Sequence, residues 1–181
     1  MLAAQAPESK YLSALNGRYM AALEATGQQS KVFPFAEKAI ARDPNNEALL
    51  YVLASTYYAR QSWANAATFG TRLAQASKSS QFIGRGWYFA GLGQAAQQRW
   101  GPADKALRAA LEHIKGESGM YAEALFQLGI ADYQLSHLTH DKVMLRSAVE
   151  FSEQASKLGG PRASQAANNA FTMRKELANF R

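Results

Sequence analysis

Cysteine is absent from the 181 residues, which excludes a disulfide framework and thiolate–zinc sites together. The absence is compatible with a reducing or an oxidising compartment, so it assigns no location. Runs alternating with period two are hard to find, and four-residue β-branched segments are missing, which points to an all-α class. No apolar run approaches the roughly 20 residues that a bilayer crossing needs. The opening MLAAQAPESK has neither a basic n-region nor a long apolar core, so it does not form an intact signal peptide; residues 1–8 read as a tail. Acidic residues are missing between Glu47 and Asp104, while Arg60, Arg72, Lys78, Arg85 and Arg99 lie inside that gap. With a net charge of +6, this span predicts a positive field over the middle of the chain. The longest contiguous basic run is still only the pair Arg174-Lys175, which makes a nucleic-acid tract the weaker expectation.

What is present is helical periodicity. Leu50, Leu53, Ala54 and Tyr57 share one helical face. Arg60-Gln61-Ser62 breaks the pattern, and Trp63 and Ala66 open a second helix that carries Leu73. The prediction is a helical hairpin with small residues where two helices approach. Its features return 37 residues on, pairing Trp63 with Trp100, Ala66 with Ala103 and Leu50 with Trp87.

Upstream, a helix from about Ser9 to Ala25 carries Tyr11, Leu12, Leu15, Tyr19, Met20 and Leu23 as one apolar stripe, with Gly27 as its stop. A second helix, from about Ser30 or Lys31 to Arg42, has Pro34 in its first turn and ends at Asp43-Pro44-Asn45-Asn46. Downstream, Ser79 or Ser80 is placed to cap the next helix, and Gly101-Pro102 to make the turn after it. A fourth pair follows Lys115–Gly119, with Leu125, Leu128 and Gly129 on its first helix. Its second helix, marked by Ala148 and Ala155, comes seven residues late, so Ser136–Asp141 is a longer corner or an extended helix. Gly159-Gly160-Pro161 stops it, and residues 162–180 form a last helix with Ala166, Ala170, Met173 and Leu177 inward.

This order of bulky, small and aromatic positions, with Pro after an acidic residue at a helix end, resembles the tetratricopeptide repeat over roughly residues 13–157. Asn16 and Asp132 depart from the pattern, standing where a bulky residue and an aromatic are usual. The resemblance implies a right-handed superhelix, an α-solenoid, of about four helix pairs in a single domain over 9–181. The repeats fall near 9–45, 46–79, 80–116 and 117–160, and a closing helix over 162–180 shields the last apolar flank. It also implies a concave groove into which the second, fifth, ninth and twelfth residues of each repeat point. By register these are Ala48, Tyr51, Ser55 and Tyr58; then Arg85, Tyr88, Leu92 and Ala95; then Glu123, Phe126, Ile130 and Tyr133. The family's Lys/Asn/Arg carboxylate clamp is not carried, because Tyr51, Tyr88 and Phe126 and then Ser55, Leu92 and Ile130 occupy such places. Aromatic rings take over that wall, and they suit a peptide with apolar anchors.

Other chemistry finds little support. Gly91-Leu92-Gly93-Gln94-Ala95-Ala96 spells a dinucleotide-type string, but inside a helix, where its backbone N–H groups cannot face a phosphate. His137 and His140 beside Asp141 lack a fourth ligand, and Asp141 or Thr139 reads better as a helix cap. No nucleophile elbow or supported Ser–His pair occurs, and Glu150 with Glu153 reads as a solvated helix face. The expectation is a non-enzymatic adaptor, with no cofactor and no metal, that binds a partner segment, acidic and with apolar anchors, along Tyr51, Ser55, Tyr58, Arg85, Tyr88, Leu92, Phe126, Ile130 and Tyr133. Two alternatives stand beside it: a nucleic-acid binder using the basic span 48–103, and a self-associating homo-oligomeric subunit.

Overall fold

A computed structural model describes residues 6–180, with side chains from Tyr11 onward. Helices α1 (Ala6–Ala25), α2 (Gln29–Ala39), α3 (Glu47–Ala59), α4 (Trp63–Ala76), α5 (Ser80–Ala96), α6 (Trp100–Leu111), α7 (Ser118–Thr139), α8 (Lys142–Leu158) and α9 (Ala163–Asn179) follow one another, and no strand occurs among the described residues. Each helix packs on its neighbour in sequence, because the connections are too short for anything else. In addition α1 packs on α3, α3 on α5 and α5 on α7. The odd-numbered helices of the first four pairs therefore form one layer. The second helices make no comparable contact with one another.

Several boundaries differ from the sequence expectation, each for a local reason. Helix α1 already runs from Ala6, so only residues 1–5 of the expected tail lie outside the described residues. Helix α2 begins at Gln29, which moves Pro34 out of the first turn and into the helix. Gly101-Pro102 is not a turn: α6 starts at Trp100, and the bend falls on Gln97–Arg99, where Gln98 takes a positive φ of 58°. Neither Ser79 nor Ser80 caps α5 through its side chain. The Ser77 hydroxyl and the Lys78 amide instead donate to the Glu47 carboxylate, at 2.5 and 3.2 Å. The extended-helix alternative holds for Ser136–Asp141, because α7 continues to Thr139 before His140 turns left-handed at φ 52°. Asp141 then caps α8, accepting from the amides of Val143 and Met144.

The Asp43–Asn46 break is a polar knot. The Asp43 carboxylate accepts from Ser13 Oγ (2.7 Å), Asn16 Nδ2 (3.2 Å) and Asn46 Nδ2 (2.7 Å), and Asn46 Oδ1 accepts from the Leu49 amide. Asn16, Asp43 and Asn46 are all buried, so each polar group must be satisfied there. Asn16 thus replaces a bulky residue because it serves the turn 27 residues away.

The core runs the length of the stack. Leu49 and Leu53 close on Met20, Leu23, Val32, Phe33 and Ala36; Leu107, Ala110 and Ile114 close on Phe89, Leu92, Ala124 and Leu128. Between α4 and α5 the backbones themselves touch. A Cβ at Gly86 would lie 2.5 Å from the Ala74 nitrogen, and one at Gly70 2.6 Å from the Ala90 nitrogen. Gly86 and Gly93 of α5 permit this approach, whereas Gly84 and Gly91 of the same run face His113 and Leu107.

Candidate partner-binding face

Helix α3 contributes Tyr51, Ser55 and Tyr58, all half-buried, and α5 contributes Arg85, Tyr88 and Leu92. The Tyr51 ring lies 5.9 Å from Phe82 and 6.0 Å from Phe89; the Tyr58 ring lies 5.4 Å from Trp63 and 6.0 Å from Phe89. Tyr88 meets Phe89 edge-on at 5.2 Å. Rings at these separations lock one another in place. Not all of them are open to solvent, as the expected wall required. Tyr88, Leu92 and Phe126 are buried, at 8, 2 and 2% exposure. Tyr88 and Leu92 pack behind the wall instead of forming it, Phe126 lies in a separate cluster, and Ala95 is buried too.

The contribution of α7 is covered by the end of the chain. Phe126 and Ile130 join a cluster with Ala155 of α8 and Ala166 of α9, and the Arg162 guanidinium sits 5.3 Å over the Phe126 ring. The Tyr133 hydroxyl donates to Glu176 at 3.0 Å, and its ring packs against His137. The open face therefore narrows to Tyr51, Ser55, Tyr58 and Arg85, with Glu123 at its far side.

Charges on this face are matched. Arg85 makes a bidentate pair with Glu117 (Nε–Oε1 3.2 Å and Nη2–Oε2 3.0 Å) and lies 5.2 Å over the Tyr51 ring. Glu123 accepts from Gln127 and has Arg162 at 3.6 Å. Burial pushes the hydroxyls of Tyr58 and Tyr88 above their ordinary value, and the nearby Glu123 charge adds to both rises. These phenols stay neutral and keep a proton to donate. Beyond Glu123 a cleft of about 290 Å³ opens among Ser118, Ala155, Leu158, Gly160 and Arg162. The face is nearly neutral, aromatic and edged by hydrogen-bonding groups.

Phe82, Glu117 and Arg162 were not anticipated at this place. Glu117 meets Arg85 from 32 residues away, and no local pattern signals such a pair. The basic span is also partly engaged: Arg60 lies 4.0 Å over Phe33, and Arg72 donates to the Pro44 carbonyl at 2.7 Å.

The remaining sequence motifs have structural roles. Gly91 and Gly93 lie within α5, where a Cβ would strike Leu107 and the Trp63 carbonyl, at 2.5 and 2.7 Å. His137 Nε2 lies 3.0 Å from Glu176, and His140 ends α7. Glu150 is exposed, and Glu153 pairs with Arg174. Asp132 is wholly buried and joined to Arg108 at 2.7 Å, while Arg108 also holds Asp104 at 2.5 Å. Burial, the largest cause, pushes the Asp132 carboxyl up to about 6; Asp104 adds to this, while Ser147 and Arg108 oppose it. Among the described residues no helix is long and apolar enough to cross a membrane. Compared with known proteins, the chain matches no family model and no curated protein.

Proposed function

We propose that the chain is a non-enzymatic scaffold of the tetratricopeptide type, a right-handed superhelix whose first-helix face holds a segment of a partner protein. The observation that carries this reading is the half-exposed tier of Tyr51, Ser55 and Tyr58 on α3, backed by the buried Tyr88, Phe89 and Leu92 of α5. A rigid aromatic wall over a packed floor gives large contact area at small entropic cost. Neutral phenols and Ser55 supply hydrogen bonds to a peptide backbone. Because Glu117 already neutralises Arg85, recognition here rests on apolar anchors more than on an acidic partner charge.

The test is a peptide selected against the full chain from a random display library, titrated calorimetrically into variants. Tyr58→Ala and Tyr51→Ala should each weaken binding by on the order of 2 kcal/mol while leaving the melting temperature within a few degrees. Selected peptides that bind both variants as tightly as the parent would overturn the reading. Salt separates the alternative: nucleic-acid affinity over the basic span should fall log-linearly with salt concentration, whereas apolar anchoring should persist.

A further inference from the structure

Tyr11, Leu15 and Tyr19 stand four residues apart on α1 and are 75, 61 and 50% exposed. One helical face thus turns three large apolar side chains to solvent. Their register makes this exceptional. Leu49 and Leu53 of α3 lie 34 residues beyond Leu15 and Tyr19, Gly86 and Ala90 of α5 lie 37 further, and Ala124 and Leu128 are their counterparts in α7. All six are buried, in packing that involves the preceding helix α2, α4 or α6 in turn. Among the described residues these positions are open on α1, with Tyr19 touching Phe35 at the edge (centroids 4.6 Å).

We propose that a second copy of this chain covers the face, α1 packing antiparallel on its counterpart about a two-fold axis at Leu15. The stripe reads the same in both directions, Tyr-x3-Leu-x3-Tyr. A two-fold at its centre therefore sets Leu15 on Leu15 and each Tyr11 beside Tyr19 of the other copy, as an isologous interface demands. Arg18, at the edge of the stripe, falls about 9 Å along the axis from its mate, close to a Debye length, so their repulsion is weak. The other end of the stack offers no equivalent stripe. Phe171 is the one large apolar side chain that α9 turns fully outward among the described residues, and the Lys175 ammonium lies 4.3 Å over its ring. Stacking α1 on α9 would leave Tyr11 and Tyr19 without apolar partners, so a closed pair is favoured over an open filament. The three side chains and their flanks bury on the order of 1,000 Å² in total, the lower edge of specific interfaces. The pair leaves α3 and α5 uncovered and presents their face twice, which raises avidity for a repeated partner.

Sedimentation velocity of the full chain over about 1 to 100 µM should show a reversible monomer–dimer equilibrium. Leu15→Lys should raise its dissociation constant by about 30-fold or more, and Tyr11→Lys should act in the same direction. Both sites are solvent-facing, so circular dichroism should match the parent. Phe171→Lys should leave the equilibrium unchanged. In a chain without cysteine, Leu15→Cys should oxidise to a covalent dimer and Phe171→Cys should not. A monomer at every concentration, a dimer that survives both α1 charges, or equal capture at the two cysteine positions each overturns the proposal.

Discussion

Asp132 links folding to acidity within the ordinary working range of pH. Its ordinary value is 3.8, and burial raises it to about 6, so the folded chain holds this proton more tightly than the unfolded one. The stabilisation from protonation is therefore full below about pH 4 and is lost as pH rises through about 6. Measured against Asp132→Asn, which cannot ionise, the parent should lose on the order of 1–3 kcal/mol between pH 4 and 7. Chemical denaturation of both proteins at a series of pH values checks this; parallel curves would dismiss it. Arg108→Ala leaves the buried carboxylate without its cation and should cost about 1–3 kcal/mol at pH 7.5, less than for a wholly buried pair because Arg108 is half-exposed. That cost should shrink at pH 5. Phe126, at the same scale, now belongs to the core: Phe126→Ala should lower stability by roughly 3–5 kcal/mol, unlike Tyr58→Ala, and thermal melts of the two distinguish support from surface.

The α4–α5 crossing sets two forces against each other. Helix propensity alone says that Gly86→Ala should stabilise α5 by about 1 kcal/mol. The added Cβ would lie 2.5 Å from the Ala74 nitrogen and 2.7 Å from the Gly70 oxygen, both backbone atoms that move only if the helices separate. Packing should win, with a net loss on the order of 1–3 kcal/mol, read from urea midpoints; a gain in stability would mean that the helices are not in contact there. Helix α8 offers a cleaner case. Asp141 satisfies two amide groups at its start, so Asp141→Ala should cost about 1 kcal/mol, while Asp141→Asn should recover most of it.

For the whole molecule, α9 is the lid on an otherwise open end. Its Ala166, Ala170 and Met173 are buried, and Tyr133, Leu145 and Val149 pack in the clusters it completes. A chain ending after Gly160 would expose this flank together with Phe126. The expected outcome is a melting temperature lower by about ten degrees or more, or aggregation, since large apolar side chains that α9 now covers would meet water. Differential scanning calorimetry on the shortened chain reads this directly, and an unchanged melting curve would make α9 dispensable.

Sequence alone determined the all-α class, the order of the helices and most of their ends. Gly27, Asp141, Gly159 and the apolar spacing within each helix act over a few residues, so they are legible without a fold. It also marked Ala66 and Ala103 as close-contact positions, and both are wholly buried. What it could not settle was which side of an apolar helix faces inward. Tyr11, Leu15 and Tyr19 share a periodic stripe with Met20 and Leu23, yet only the last two are buried, because they close on the core between α2 and α3 while Tyr19 meets α2 only at its edge. Nor could it foresee that Tyr88 and Phe126 would sink into the core while Tyr51 and Tyr58 remain at the surface. That choice depends on how closely α5 approaches α4 and where α9 comes to rest. Both are set by contacts between residues tens of positions apart, which tertiary packing alone brings together.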